Sequence, residues 1–302
     1  MPVISVFTAS PVIFIGNVIG WFILIKLVQD ITGMVEIFDN IRKIYQFSLP
    51  CEELANHVEF FSESLPDATH AFAGNACFTV KMFPSLTPTF WINLGTPYYL
   101  TLGNKRFLIP SGKDILLTRD TIAERYNHPL DHLFSVKFYP GGLESVLGID
   151  QSGMTGKLVQ LQDVVPASII HRIRKANTFE ARKRLLEDYL LSQMRIKKQR
   201  THYIELVNKT IAIYEGGNMK YNVDELSERM FTTSKTITRY FTKVVGITPK
   251  KYLSIVRSRT ALTAFVANKK AFDPAVFGYH DMSHFYKESI KFTGERMIGQ
   301  SH

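Results

Sequence analysis

Residues 226–253, LSERMFTTSKTITRYFTKVVGITPKKYL, decide how the C-terminal part of this chain folds. Their apolar positions fall into two helical stripes, which Phe231-Thr232-Thr233 separates. Thr233 stands where the N-cap of the second helix belongs, because its hydroxyl can accept hydrogen bonds from the first-turn N–H groups. Gly246 fits the end of that helix, and Thr248-Pro249 begins another one, since proline is tolerated in a first turn. The stretch therefore predicts a helix-turn-helix.

The positive charge of the chain is concentrated around this motif. The formal net charge is +9, and residues 200–302 hold 16 Lys and Arg against 9 Asp and Glu, whereas residues 1–199 hold 20 against 18. A basic segment is typical of a module that binds a polyanion, although a solvated basic face has the same composition. Two short helices at this spacing are how a second helix is presented to the DNA major groove. Charge and motif together favour a DNA-binding regulator, and 302 residues allow two domains.

The middle of the chain, from about residue 72 to residue 138, has the pattern of short strands divided by turn residues. Gly103-Asn104 between two apolar runs predicts a tight hairpin. The predicted fold class is therefore α+β: a β-rich sensor domain, either a barrel or a sandwich with trailing helices, precedes an all-α double helix-turn-helix domain. The candidate strands are residues 77–83, 90–94, 98–102, 106–109, 114–118 and 133–138.

Aromatic residues are dense in this β region, and they either line a ligand pocket or fill the core, the second interpretation being favoured. Nothing in the sequence has the pattern of a nucleophilic triad, a phosphate loop or a dinucleotide fingerprint, and Asp131 with His132 is too little for an acid–base pair. His128 and His132 have the spacing of a zinc pair, but Pro129 opposes a regular helix through them. We therefore expect no enzyme activity, no catalytic residue, no metal site and no cofactor.

The N-terminal residues 1–33 form an apolar extension that the sequence leaves open. Residues 12–27 are long and apolar enough for a membrane span, but proline and glycine weaken a helix there, and a basic region typical of a secretory signal is absent. Three interpretations stand: translation starts at Met34, the extension is a membrane anchor, or it is a buried strand or helix. Cys51 and Cys77 are too few for a disulfide framework and fit a cytoplasmic protein.

The segment behind Tyr139-Pro140-Gly141-Gly142 becomes helical in its pattern. Residues 178–194 predict an amphipathic helix with Thr178 as its N-cap, which packs on the β-rich domain or pairs with a second copy of the chain. The predicted organisation is an apolar extension (1–33), a β-rich sensor, effector or dimerisation domain (34–195), a linker (196–201) and a DNA-binding domain (202–302).

A second helix-turn-helix is expected near the C-terminus. Residues 249–266 predict one long helix, with Arg257 and Arg259 on its solvent side. After it, Gly278-Tyr279-His280-Asp281 predicts a turn, and Asp281 can cap a helix over residues 282–292. The two motifs would then be joined by a single stiff helix.

The last hundred residues resemble the AraC/XylS family of bacterial transcriptional regulators. The first motif matches through Leu226, Thr233, Ile237-Thr238-Arg239-Tyr240-Phe241, Gly246, Pro249 and Tyr252-Leu253, and the second through Gly278-Tyr279, His284-Phe285 and Gly294. Lys137-Phe138-Tyr139-Pro140-Gly141-Gly142 is similar to a sensory domain often found before such helices. The second motif departs from the pattern at Pro274, inside its expected first helix, and at Ser289, where an aromatic is usual. We expect it to hold DNA mainly through phosphates or to adjust in the complex.

The resemblance implies a cytoplasmic, sequence-specific transcription factor of the activator type. Its implied partners are double-stranded DNA, RNA polymerase, a small-molecule effector and a second copy of the chain. By resemblance, Lys235, Thr238 and Arg239 reach bases, while Thr233, Ser234 and Lys243 lie nearer the DNA backbone. The matching positions of the second motif are Met282, Ser283, Tyr286 and Lys287, with His284 in a structural role. Two alternatives stay open: a small-molecule-binding module or enzyme whose C-terminal helices serve protein contacts, and a membrane-tethered regulator.

Overall fold

The computed structural model describes residues 44–73, 77–128, 130–196 and 202–293. They form a β-rich unit, residues 44–196, and a helical unit, residues 202–293. The apolar extension at residues 1–33 and most of the predicted linker lie outside the described residues. In the part of the chain that is described, no helix is long and apolar enough to cross a membrane.

The described part of the β-rich unit holds ten strands in two antiparallel sheets. The larger sheet has the order β1-β2-β9-β4-β7-β10, and the smaller sheet has the order β3-β8-β5-β6. The strands are β1 (Tyr45–Ser48), β2 (Val58–Ser64), β3 (Phe78–Met82), β4 (Ser85–Asn93), β5 (Tyr98–Leu102), β6 (Lys105–Ile109), β7 (Ile115–Arg119), β8 (Ala123–Asn127), β9 (Leu133–Phe138) and β10 (Leu158–Gln160).

The larger sheet is buried on both faces, because one face meets the smaller sheet and the other meets helices. In β4, Trp91 joins the core between the sheets, whereas its neighbour Phe90 joins the core beneath the helices. The helices of this unit are α1 (Pro66–Ala73), α2 (Gly142–Leu147), α3 (Ala167–Lys175) and α4 (Phe179–Ile196), with 3-10 turns at Glu52–Leu54 and Leu161–Asp163. Thr178 caps α4 as predicted, its Oγ1 accepting from Ala181 N at 3.2 Å.

The predicted strands were recovered, but four observed strands were missed: β1, β2, β8 and β10. Gly103-Asn104 does form the two-residue turn between β5 and β6, with Gly103 at a φ of 55°. Core filling is confirmed for several of the aromatic side chains, whereas Tyr99 is 39% exposed. The buried aromatics of the β region include Phe83, Phe90, Trp91, Tyr98, Phe134 and Phe138.

The helical unit contains α5 (His202–Gly216), α6 (Val223–Arg229), α7 (Ser234–Val245), α8 (Pro249–Ala267) and α9 (Met282–Thr293). A 3-10 turn, Pro274–Phe277, precedes α9, so Pro274 begins a short turn there, where the resemblance implied an α-helix. One core unites these helices, and Phe83 and Leu86 of the β-rich unit belong to it. The predicted fold class, a β-rich domain followed by a helical one, is confirmed.

The prediction that Arg257 and Arg259 lie on the solvent side of α8 was wrong. The guanidinium of Arg257 pairs with Glu288 of α9, its Nη2 lying 2.9 Å from Oε1. Arg259 donates from Nη2 to the carbonyl oxygen of Pro84 at 2.6 Å. Both side chains therefore join α8 to neighbouring elements, which a single-helix pattern could not reveal.

Candidate nucleic-acid interface

The first helix-turn-helix, α6 and α7, has the ends that the sequence predicted. Thr233 Oγ1 accepts from Thr236 N at 3.2 Å, and Gly246 ends α7 with a φ of 84°. Asn222 and Glu225 add a reciprocal capping box at the start of α6. Both helices are thus capped by side chains at their N-terminal ends.

The two faces of α7 differ sharply in burial. Ile237, Phe241, Val244 and Val245 are fully buried in the helical core. On the other side, Lys235 and Arg239 are exposed and Thr238 is half-buried. Lys235 and Arg239 are four residues apart and so share one helical face. These three residues, which the resemblance placed at bases, therefore form one outward surface of α7.

The three residues expected near the DNA backbone differ in their exposure and in their partners. Thr233 is exposed. The hydroxyl of Ser234 is half-buried and donates to the carboxylate of Asp224. Lys243 lies with its ammonium group 3.5 Å from Glu144 Oε1 and 4.3 Å from the centre of the Tyr203 ring. Of the three, Lys243 is engaged by the β-rich unit.

The predicted DNA-contacting residues of α9 divide into two kinds. Ser283 and Lys287 are exposed. Met282 and Tyr286 are half-buried against the helical core, the Tyr286 ring lying 5.8 Å from that of Phe265. Two of the four predicted contact residues of α9 are therefore exposed.

The start of α9 is fixed by a capping carboxylate and by the His284-Phe285 pair. Asp281 Oδ1 accepts from His284 N at 2.7 Å, as a cap does. His284, expected in a structural role, is exposed, but its ring lies 5.1 Å from that of the buried Tyr279. Phe285 beside it is fully buried and packs α9 into the helical core.

One ionic cluster fixes α9 against α8. Arg257 donates to both carboxylate oxygens of Glu288, and the hydroxyl of Ser254 donates to the same carboxylate. Burial would raise the pKa of Glu288, but these hydrogen bonds outweigh it and lower the pKa. Because Glu288 lies on α9, the cluster sets the position of the second motif relative to α8.

The C-terminal end of α7 is capped by the β-rich unit. Gln151 N donates to the carbonyl oxygen of Lys243 at 2.9 Å, and its side-chain amide donates to that of Val244. Thr155 Oγ1 donates to the carbonyl oxygen of Gly246 at 3.2 Å. The last carbonyls of a helix have no intrahelical partner, so these bonds anchor α7 to the loop that follows α2.

Two glycines make this contact possible. A Cβ at Gly141 would lie 2.7 Å from Ile204 Cγ2 of α5, and a Cβ at Gly246 would lie 2.5 Å from Thr155 Oγ1. Both glycines also have positive φ angles, of 78° and 84°. The Gly-containing turn that the sequence singled out after β9 therefore lies at the contact between the two units.

A group of buried cations lies where the sheet meets α8. The side chain of Arg119, at the end of β7, is buried, and its Nε has no hydrogen-bond partner in the described chain. Burial, with the nearby Arg259 guanidinium, lowers the pKa of Arg119 to about 10. Lys137 Nζ is paired with Glu59 Oε2 at 2.9 Å, yet burial lowers its pKa to about 8. The sequence carried no local signal for this group, because its members come from distant elements.

His128 and His132, which have the spacing of a zinc pair, have separate partners. His132 Nε2 lies 2.9 Å from Glu63 Oε1, and His128 Nδ1 lies 3.2 Å from Cys77 Sγ. Asp131 is bound to Arg125 instead of forming an acid–base pair with His132. Across the described ranges, no group of three or more His, Cys, Asp or Glu side chains could hold a metal ion.

Comparison with known proteins gives structural neighbours only. No protein-family model matches the chain, and no curated protein matches it by sequence. ToxT from Vibrio cholerae is similar in structure, with 11% identity, a TM-score of 0.42, and coverage of 73% of this chain and 95% of that chain. ToxT of Vibrio cholerae strain SCE256 with a bound unsaturated fatty acid has 9% identity, a TM-score of 0.41, and coverage of 73% and 91%.

A further neighbour is the AraC-like transcriptional activator CuxR, with 11% identity and a TM-score of 0.32, over 75% of this chain and 89% of that chain. It is described as AraC-like, which is the class that the sequence motifs resemble. With TM-scores below 0.5, these likenesses assign no function to individual residues, and the function has to be argued from the chain's own side chains.

Proposed function

We propose that this chain is a sequence-specific DNA-binding transcription regulator that reads DNA chiefly through the outward face of α7. The observation that carries the proposal is the segregation on α7, where Lys235 and Arg239 are exposed opposite a fully buried apolar face. A recognition helix needs this division, because one side must hold the helix in the domain while the other enters the major groove.

The chemistry of the outward residues fits base and phosphate contacts. Arg and Lys donate to guanine O6 and N7 in the major groove, and a threonine can approach either base edge or a thymine methyl group. On α9, the exposed Ser283 and Lys287 supply polar groups that suit phosphate contacts. We therefore expect α7 to provide sequence preference and α9 mainly affinity, with the two helices about 34 Å or one DNA turn apart.

A salt titration on DNA tests this function. Fragments bound by the full-length chain are selected from genomic DNA, and the binding constant is measured across a range of salt concentrations. Each neutralised phosphate contributes about −0.9 to the slope of log K against log salt, so we expect a steep negative slope and tighter binding to selected than to random fragments. A chain that binds no DNA even at low salt would exclude the proposal and favour the alternative in which the helices serve protein contacts.

We further propose that the β-rich unit binds an organic anion as the effector. The observation in favour is Arg119, a buried guanidinium whose charge is disfavoured in its surroundings. Burying a cation without a full set of partners is costly, and a bound carboxylate or phosphate would remove that cost. Lys137 and Arg259 add two more cations against the carboxylate of Glu59.

The position of Arg119 suggests how an effector would act. Arg119 follows Leu117 on one face of β7, and Leu117 belongs to the apolar core between the two sheets. Arg259, whose charge acts on Arg119, belongs to α8 of the helical unit. An anion held between them would contact both units and would change the free energy of their packing, which is how a ligand shifts a conformational equilibrium.

Thermal unfolding with a series of carboxylates of increasing apolar length tests the effector proposal. A ligand at one hundred times its dissociation constant stabilises the folded state by about 2.7 kcal/mol, which a melting curve resolves. We expect the wild-type chain to respond to at least one acid, Arg119→Met to lose the response, and Arg172→Met, at an exposed arginine of α3, to keep it. An equal response of both variants would overturn the assignment of Arg119.

A further inference from the structure

Phe231, in the turn between α6 and α7, has an unusual backbone conformation. Its φ is 51°. Its N–H donates to the carbonyl oxygen of Glu228 at 3.0 Å, and the N–H of Thr232 donates to that of Ser227 at 3.0 Å. This pair of bonds is the Schellman arrangement that ends a helix, and its left-handed residue is usually glycine. A residue with a Cβ is disfavoured there, and a bulky one more so. The backbone of this turn therefore favours glycine at position 231.

The side chain of Phe231 does not compensate through packing. It is 98% exposed, which makes it the most exposed large apolar side chain of the described residues; the next, Ile196, is 74% exposed. An apolar side chain stabilises a fold by leaving water, so a fully exposed ring contributes almost nothing of this kind. Conformational strain and full exposure thus coincide at one residue. Backbone strain that no contact within the fold offsets is typical of functional positions.

The surroundings of Phe231 identify the kind of partner. It stands two residues before Thr233, the N-cap of α7, and the N-terminal residues of a recognition helix are those that approach base edges. Two exposed cations, Arg229 and Lys235, and the partial positive charge at the N-terminus of α7 lie near it, against the exposed carboxylate of Glu228. This balance favours an anionic partner that carries apolar groups within the same surface. DNA has both, since thymine methyl groups and deoxyribose faces lie between its phosphates.

Resting on the proposed DNA-binding function, we propose that Phe231 is an apolar DNA-contact residue of the first helix-turn-helix. It packs against a thymine methyl group or a deoxyribose face at the edge of the groove that α7 enters. An apolar contact releases no counterion, so it adds affinity without adding salt dependence. This property separates Phe231 from the cationic residues around it.

The test uses the full-length chain, a selected DNA fragment and the variant Phe231→Gly. We expect about a tenfold loss of affinity, within the range of a good base contact, with an unchanged slope of log K against log salt. Because glycine suits a positive φ, the melting temperature should stay the same or rise. Phe231→Asn, a residue that also tolerates this conformation, should lose affinity to the same extent. Leu108→Ser serves as the matched control, since Leu108 is 53% exposed on β6, outside the helical unit.

Replacing each thymine of the fragment by uracil, one at a time, distinguishes the two apolar groups of DNA. If Phe231 packs on a methyl group, one replacement weakens binding of the wild-type chain and leaves Phe231→Gly unaffected. If it packs on deoxyribose, no replacement separates the two proteins, although the variant still binds more weakly.

Two results would overturn the inference in different ways. If the wild-type chain binds DNA and Phe231→Gly and Phe231→Asn bind equally well, Phe231 is no DNA contact, while the proposed function stands. The same conclusion follows if the variants bind DNA normally but fail to activate transcription, which would assign Phe231 to a protein partner. If the wild-type chain binds no DNA at all, the proposed function fails and the inference fails with it.

Discussion

The ammonium group of Lys243, on α7, lies 3.5 Å from Oε1 of Glu144, on α2 of the β-rich unit. The hydroxyl of Tyr203 donates to the same carboxylate oxygen at 2.5 Å. The Glu144 side chain is almost fully buried, whereas that of Lys243 is 38% exposed. Lys243, which the family resemblance places near the DNA backbone, is thus held at the end of α7 by a carboxylate of the β-rich unit.

Glu144→Gln should free Lys243 for DNA. Glutamine keeps an oxygen that can accept from Tyr203 but removes the charge that attracts the lysine. We expect DNA affinity to rise a few-fold on any sequence, with a salt slope steeper by about 0.9, the value of one more phosphate contact. The measurement is the salt titration of the variant beside Glu180→Gln, at an exposed residue of α4. If the Glu144→Gln slope equals that of the control, Lys243 makes no additional phosphate contact.

Gly246→Ala should weaken both the end of α7 and the contact between the units. The φ of 84° disfavours alanine, and the new Cβ would lie 2.8 Å from the backbone oxygen of Gln151. We expect the free energy of unfolding to fall by about 1–3 kcal/mol. Gly216→Ala is the control, because a Cβ there meets nothing within 4 Å at the end of α5. Equal unfolding free energies of the two variants, measured in denaturant, would show that the close approach is not needed.

The buried Lys137 should make stability depend on pH. Its pKa in the folded chain is lowered to about 8 by burial, against an ordinary value of 10.5, so the unfolded state binds more protons between these two pH values. The free energy of unfolding contributed by this group therefore rises as pH increases from 8 towards 10.5. Glu59, Arg119 and Arg259 are the charged groups that face it.

Lys137→Met isolates this contribution from other titrating groups, such as tyrosines. We expect the wild-type chain to gain stability relative to the variant between pH 7.5 and pH 9.5, as measured by denaturant unfolding at each pH. A difference between the two proteins that does not change with pH would mean that Lys137 titrates normally in the folded chain.

Glu288→Gln should weaken DNA binding that needs both helix-turn-helix motifs, but not binding through α7 alone. The carboxylate receives three hydrogen bonds from Arg257, one from Nε and two from Nη2, and one from Ser254, and it fixes α9 on α8. Without its charge, the spacing of α7 and α9 becomes less well defined. We expect weaker binding to a full DNA site, while a duplex that holds only the half contacted by α7 is bound as before. Equal losses on the full and half sites would place the defect in folding instead.

Features with local causes were predictable from the sequence. Thr233 and Gly246 mark the ends of α7 because capping depends on residues within one turn. The Gly103-Asn104 turn was recognised for the same reason. The outward positions Lys235 and Arg239 follow from helical periodicity once these ends are known.

Features that depend on distant partners were missed. β2 contains Glu59 and Glu63, a residue type that is usually exposed. Both are buried, and Lys137 and Arg182 from distant parts of the chain pair with them. The capping of α7 by Gln151 likewise joins residues more than ninety positions apart. Pairing over such distances has no periodic or local signal, so it follows only from the structure.

The central claim, that the outward face of α7 reads DNA, is tested most directly by Arg239→Ala on selected and random fragments. Arg239 is exposed, with its guanidinium 4.9 Å from the centre of the Tyr240 ring. We expect a loss of about 1–3 kcal/mol on the selected fragment, a relaxed preference at one base pair, and a much smaller loss on random DNA. Lys209→Ala, at an exposed lysine of α5, should leave both affinities unchanged. An equal loss on both kinds of DNA, or no loss on either, would contradict the claim.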